Sequence, residues 1–138
     1  MSIYCTEDFI KEFKNIIKKK QYKDFENLFH AFFLPSNIAN IGTGDRLFGP
    51  TTIPYLKKRI PDSSGYRFYY LLEFSTGKVI LNFAHAKRPP LGFENISTRK
   101  KKELHDAALV SRSTSEGLFT FAWDPINQKT IFTPVSKY

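Results

Sequence analysis

The chain has 138 residues, a formal net charge of +8 at pH 7 and 41% hydrophobic residues. This length suits one domain with a single core, and the 14 Phe and 7 Tyr residues exclude a disordered basic protein. No apolar run is long enough to cross a bilayer and the N-terminus lacks a signal-peptide pattern. We therefore expect a cytoplasmic protein with no membrane partner. The single cysteine excludes an intrachain disulfide and a cysteine-rich metal site.

The N-terminal part predicts a short strand and then two amphipathic helices. The first helix, over about residues 7–19, has apolar residues at helical spacing, and Thr6 can cap it. A second run of apolar residues at the same spacing ends before Pro35, which predicts a helical hairpin whose Phe residues pack against a sheet. Residues 35–54 contain several Gly and Pro residues and are predicted to form a loop.

The middle of the chain predicts three strands, over residues 55–60, 66–74 and 78–87. The last two are joined by Ser75-Thr76-Gly77, which is typical of a hairpin turn. The run Val79-Ile80-Leu81 is continuously apolar, as in a central strand that is covered on both faces. These features predict an antiparallel meander.

The C-terminal part predicts one more helix and a late β-hairpin. Ser97 can cap a helix over residues 98–109, and the polar residues 111–116 are predicted to form a loose connection. Residues 119–123 and 130–132 predict a hairpin, which either extends the sheet or covers its edge. The predicted class is therefore α+β: an antiparallel meander with an N-terminal helical hairpin, a C-terminal helix and an extra hairpin.

Positive charge is concentrated in one third of the chain. Residues 55–105 hold 11 Lys and Arg residues against 4 Asp and Glu residues. The period of a strand places Lys57 and Arg59 on one face, and Arg67 shares a face with Tyr69 on the next strand. If these faces coincide, three cations converge on one site, and a pI near 9.6 favours a polyanionic partner.

Such a cluster suits cleavage of RNA by its own 2′-hydroxyl. The reaction needs a base, an acid and stabilisation of the charge on phosphorus. A Lys crowded by cations has a lowered pKa and can act as the base, Arg can hold phosphate oxygens, and His85 can act as acid or base. The candidate catalytic residues are Lys57, Arg59, Arg67, His85, Lys87 and Arg88.

Metal catalysis is not expected, since the three histidines lack the spacing of metal ligands and few acids lie near the basic cluster. We therefore expect neither a metal ion nor a cofactor. Four cations, residues 99–102, begin the last predicted helix, where the helix dipole disfavours them. A polyanion would relieve that conflict, although a solvated basic patch without a dedicated role explains the run equally well. The candidate RNA-contacting residues are Lys58, Tyr69, Phe93, Arg99, Lys100, Lys101 and Lys102.

The order of these elements and three short motifs resemble the RelE/ParE-type toxins of bacterial toxin-antitoxin systems, in particular the RelE and HigB-like messenger-RNA interferases. Residues 63–70, Ser-Ser-Gly-Tyr-Arg-Phe-Tyr-Tyr, are similar to the Gly-Tyr-Arg strand of RelE-like proteins. Ala86-Lys87-Arg88 is similar to the basic end of their last strand, and residues 95–104 are similar to the start of a HigB-like terminal helix. The resemblance covers roughly residues 2–109.

This resemblance implies a toxin domain over residues 1–110. The tail, residues 111–138, exceeds the usual length of such toxins and is predicted to be a C-terminal hairpin extension packed on the same domain, where it could occlude the site or bind a partner. The resemblance also implies an endoribonuclease that cleaves messenger RNA in a ribosome-dependent way, and a cognate antitoxin as partner. At the positions that match the family's basic residues, Lys57 and Lys87 would transfer protons, and Arg59, Arg67 and Arg88 would bind phosphate. The tyrosine that follows the last basic residue in RelE is absent, and Phe93 and Glu94 stand near that place. Two alternatives remain: a ParE-like inhibitor of DNA gyrase and a non-catalytic nucleic-acid-binding module.

Overall fold

The computed structural model describes residues 1–61, 65–87 and 96–135, and the predicted class is confirmed as α+β. Among the described residues no helix is both long enough and apolar enough to cross a bilayer. In chain order the elements are β1 (Ser2–Thr6), α1 (Glu7–Ile17), a 3₁₀ helix (Lys20–Tyr22), α2 (Phe25–Phe33), α3 (Ile38–Ile41), β2 (Asp45–Phe48), β3 (Tyr55–Ile60), β4 (Tyr66–Glu73), β5 (Lys78–Ala86), α4 (Thr98–Thr114), β6 (Leu118–Asp124) and β7 (Lys129–Pro134).

The described strands form one sheet in the order β2-β3-β4-β5-β1-β6-β7. Neighbouring strands run antiparallel except β1 and β5, which are parallel. The predicted antiparallel meander is confirmed for β3, β4 and β5. The N-terminal strand inserts parallel beside β5, a pairing that local periodicity does not predict. The open question about the late hairpin also has an answer: β6 pairs with β1, so the hairpin extends the sheet.

Helices α1 and α2 cover one face of the sheet. Thr6 accepts the backbone N–H of Phe9 at 3.3 Å, which confirms the predicted cap. Five Phe residues of these helices are buried, namely Phe9, Phe13, Phe25, Phe29 and Phe33. Phe25 stacks on Phe68 of β4 with ring centroids 5.5 Å apart. The aromatic stripe of the helical hairpin is therefore core.

Helix α4 covers the opposite face. The Ser97 side chain caps it by accepting the backbone N–H of Lys100 at 3.1 Å, as predicted. A buried amide links the helix to the sheet, since Asn82 accepts the Tyr55 hydroxyl at 2.6 Å and donates to the Leu104 carbonyl at 2.8 Å. These two hydrogen bonds hold the N-terminal half of α4 over β3 and β5.

Two local predictions are wrong. The region predicted as a loop, residues 35–54, contains α3 and the four-residue β2, which is too short to show a period. Helix α4 continues through Thr114, so the polar residues 111–116 are largely helical and the domain boundary set at residue 110 falls inside the helix. This extra turn is anchored because Arg112 forms an ion pair with Glu73 of β4.

The C-terminal hairpin is also fixed to α2 by side chains. The Thr130 hydroxyl lies 2.6 Å from both Glu26 Oε2 and His30 Nε2. The Trp123 ring contacts the His30 ring at a centroid distance of 5.1 Å. Burial lowers the pKa of His30, while Glu26 acts in the opposite direction. We call this contact of Glu26, His30 and Thr130 the hairpin clasp.

Candidate nucleic-acid interface

The α4-facing side of β3, β4 and β5 carries most of the predicted catalytic residues. Arg59 pairs in register with Arg67, and Arg67 pairs with His85, so the three form one row across the strands. Lys57 and Tyr69 pair in the adjacent row on the same face. We call these five residues the basic face. The two faces on which the predicted convergence depended therefore do coincide.

A β-bulge determines which way the end of β5 points. The register between β4 and β5 shifts at Asn82, which is the extra residue on β5. Ile80 before the bulge and Phe83 after it both lie in the core beneath α4. Strict alternation would turn Phe83 and His85 to the opposite face, so the bulge brings His85 into the basic face.

The central cations of the basic face are buried. Lys57 is 6% exposed and Arg67 is 4% exposed. Burial lowers the pKa of Lys57, as do the neighbouring charges of Arg59 and Lys101, whereas Asp45 opposes the change. Arg59 is half-exposed and forms an ion pair with Asp45 at 2.8 Å. This environment makes the neutral amine of Lys57, which is the form that accepts a proton, more accessible than in an ordinary lysine.

Tyr69 and His85 form a buried hydrogen-bonded pair. The distance from Tyr69 Oη to His85 Nε2 is 3.0 Å, and His85 Nδ1 lies 3.0 Å from the Ala86 carbonyl oxygen. A carbonyl can only accept, so we assign the proton to Nδ1, and Nε2 accepts the tyrosine hydroxyl.

Both members of this pair are held in their neutral forms. Burial lowers the pKa of His85 to about 4; Ala86 opposes this and Arg67 adds to it. Burial raises the pKa of Tyr69 to about 12, with Arg67 acting in the opposite direction. At neutral pH, therefore, His85 carries no proton to donate from Nε2, which disfavours the predicted role as an acid and leaves the role of acceptor.

Two cations of helix α4 lie beside the basic face. Lys100 Nζ is 5.1 Å from the centroid of the Phe83 ring. Lys101 is close enough to Lys57 to lower its pKa. Lys100 is exposed and Lys101 is half-buried, so both remain accessible at the rim of the cluster.

The other two cations predicted on this helix are engaged elsewhere. Arg99 forms an ion pair with Glu103 at 3.3 Å, and Lys102 forms one with Asp106 at 3.0 Å. Both pairs are exposed and link residues one turn apart, which is the geometry of a solvated helix surface. They give no specific support to a role in binding RNA.

The side chain of Lys58 points away from the basic face. Its ammonium donates to the Thr43 hydroxyl at 3.0 Å and lies 5.6 Å from the centroid of the Phe32 ring. Lys58 therefore points toward α2, as the period of the strand requires of a residue between Lys57 and Arg59.

The remaining candidates lie at or beyond the end of β5. Lys87 directly follows this strand, is half-buried, and donates its backbone N–H to the Gly65 carbonyl at 2.8 Å. Arg88 and Phe93 lie outside the described residues.

Sequence reasoning missed three residues near the cluster. Asp45 lies in β2, which was predicted as loop, and Glu12 and Asn15 belong to the polar side of α1, where nothing distinguishes them from other surface residues. Within the described ranges no group of three or more His, Cys, Asp or Glu residues is arranged to hold a metal ion. Comparison of the sequence with models of known protein families and with curated proteins found no match.

Proposed function

We propose that this chain is a toxin of the RelE/ParE type that cleaves messenger RNA without a metal ion. The observation that carries the proposal is the direct cross-strand pairing of Arg59 with Arg67, beside Lys57 on the same face. Like charges opposite one another destabilise a sheet, and a phosphodiester bound between them would offset that repulsion. The half-exposed Arg59 offers a path for phosphate toward the buried cations.

Three residues would meet the three requirements of the reaction, which are a base, stabilisation of the charge on phosphorus, and an acid. Lys57, whose pKa is lowered, takes the proton of the 2′-hydroxyl, and Arg67 stabilises the negative charge on the phosphorane. The 2′-oxygen forms its bond to phosphorus while the bond to the 5′-oxygen breaks. Lys87, at the end of β5, donates a proton to that leaving oxygen. The products are a 2′,3′-cyclic phosphate and a 5′-hydroxyl.

The same charge distribution suggests the partners. Lys100 and Lys101 flank the buried cations and would contact neighbouring phosphates of messenger RNA on the ribosome. A cognate antitoxin with an acidic segment would neutralise the basic face by charge complementarity.

The test is expression of the chain in bacteria together with cleavage assays on messenger RNA with and without ribosomes. We expect growth arrest and fragments that end in 2′,3′-cyclic phosphate, and we expect both to disappear in Arg67→Ala. Lys58→Ala is the matched control, because Lys58 faces α2 and its loss should change neither result. Intact transcripts under every condition would reject the catalytic proposal.

The burial of Lys57, Arg67 and His85 favours a second candidate, a non-catalytic nucleic-acid-binding module that uses only the exposed rim. RNA binding that weakens steeply with salt, without cleavage, would select this module. DNA damage with intact RNA would instead select an inhibitor of DNA gyrase.

A further inference from the structure

A cleft of about 290 Å³ lies between α1, the end of β5 and the first turn of α4. Glu12 and Asn15 line it from the side of α1, Phe83 and His85 from the side of β5, and Lys100 from α4. Since His85 belongs both to this cleft and to the basic face, the two sites are adjacent. The volume is near the lower end for small-molecule sites, roughly 300 Å³, which suits one planar base better than a larger ligand.

Opposite charges face each other across this cleft without meeting. Glu12 is half-buried, and its carboxylate makes no ion pair or side-chain hydrogen bond with another described residue. Burial raises the pKa of Glu12, while Lys100 lowers it, so the two groups interact through space. The lining of the cleft thus includes a hydrogen-bond acceptor from α1, a cation from α4 and the aromatic ring of Phe83, which lies next to that cation.

These groups match the edge of one nucleobase. Guanine presents two adjacent donors, N1–H and N2–H₂, beside the acceptor O6. A carboxylate can accept both donors, and an ammonium can donate to O6. Adenine and cytosine place an acceptor beside their donor, and uracil flanks its one donor with two acceptors. Each of these three would therefore turn an oxygen or nitrogen lone pair toward the carboxylate.

We propose that the cleft binds a guanine base of the RNA, with Glu12 reading its donor edge, Lys100 contacting O6 and Phe83 providing an aromatic contact. RNA as the source of the base rests on the function proposed above. Because the Lys100 side chain is exposed, it is free to change rotamer and contact the bound base. Asn15, which lines the cleft beside Glu12, supplies a side-chain amide for a further hydrogen bond. Glu12 is therefore a specificity residue next to the reacting phosphate.

The first experiment is titration of the full chain with guanosine 5′-monophosphate and with adenosine 5′-monophosphate, which differ only in the base. Backbone NMR shifts should map to residues 12–16 and 83–86, and the guanine nucleotide should bind roughly tenfold more tightly. Glu12→Gln should abolish this difference, since one amide oxygen cannot replace a carboxylate that accepts two donors. Equal binding of the two nucleotides, or shifts elsewhere, would overturn the proposal.

The second experiment maps the cleavage sites of the wild-type and Glu12→Gln proteins on the same transcripts. We expect a guanine preference that falls roughly tenfold in the variant. Glu7→Gln is the control, because Glu7 is exposed in the first turn of α1 and does not line the cleft. Unchanged preference in Glu12→Gln would reject the guanine site and leave the nuclease standing. Guanine-selective binding without any cleavage would reject the nuclease and support the site.

Discussion

The rings of Tyr69 and His85 stack at 27° with centroids 5.6 Å apart, and the tyrosine hydroxyl donates to the imidazole. This pair lies in a protein layer that also holds Lys57 and Arg67. The imidazole is therefore kept neutral among cations, and its protonation is coupled to the stability of the fold.

The first prediction concerns pH. The pKa of His85 is about 4 in the folded protein against an ordinary value of 6.5, so the unfolded chain binds the proton between these values. The stabilisation is complete above about pH 6.5 and is lost as the pH falls toward 4, by about 3 kcal/mol. Urea unfolding across this range measures the loss. His85→Gln should flatten the slope but not remove it, because burial also lowers the pKa of His30 and His105. An unchanged slope in the variant would contradict the assignment.

The second prediction compares two neighbouring lysines. Lys57→Met removes the proposed base and should lower RNA cleavage by roughly 10²-fold or more. Lys58→Met changes the same residue type on the opposite face of the strand and should leave cleavage within about twofold of the wild-type rate. Initial rates on a defined transcript measure both. Equal losses in the two variants would show that charge alone, and not position, matters.

The third prediction concerns the amide that holds α4. Asn82→Ala leaves the Tyr55 hydroxyl and the Leu104 carbonyl buried without this partner, so the free energy of unfolding should fall by about 2 to 3 kcal/mol. Tyr55→Phe keeps the bond to Leu104 and should cost less, about 1 kcal/mol. Denaturant unfolding of both variants checks the order. A larger loss for Tyr55→Phe would sink this account of how α4 is anchored.

The fourth prediction tests the hairpin clasp. Thr130→Val keeps the shape of the side chain but removes the hydroxyl shared by Glu26 and His30, which should lower stability by about 1 to 2 kcal/mol. Amide exchange should speed up in β6 and β7 more than in β4. Thr133→Val, at an exposed position on the same strand, is the control and should change little. Equal exchange in the two variants would show that the clasp does not hold the hairpin.

Helix caps, a glycine turn and strand composition predicted α1, α4 and the strands β3, β4 and β5. The caps at Thr6 and Ser97 mark the starts of α1 and α4, and the turn before β5 has Gly77 at a φ of 69°, a conformation that favours glycine. Strands β3, β4 and β5 are long enough for their β-branched and aromatic residues to predict a strand. The alternation of side chains along a strand then assigns Lys57, Arg59 and Arg67 to faces from the sequence alone.

Features that depend on distant contacts could not be predicted in this way. The sequence around Asn82 contains no local signal that predicts a bulge, yet this one extra residue determines which face of the sheet His85 occupies. The parallel pairing of β1 with β5 depends on residues far apart in the chain. The cleft that contains Glu12 forms only where α1 and α4 approach the end of β5, so no local sequence pattern distinguishes Glu12 from the other acidic residues of the chain.

The position of β1 has a consequence for cooperativity. Ser2 pairs with Lys78 of β5, and Thr6 pairs with Leu118 of β6, so this strand alone joins the basic face to the C-terminal hairpin within the described sheet. An isolated two-stranded hairpin is only marginally stable in water. Besides the hairpin clasp with α2, the hairpin therefore depends on a strand that also pairs with β5. The pairing of β1 with β5 and β6 joins residues far apart in sequence, so we expect the whole sheet to be completed more slowly than the local β3–β4–β5 meander that carries the basic face.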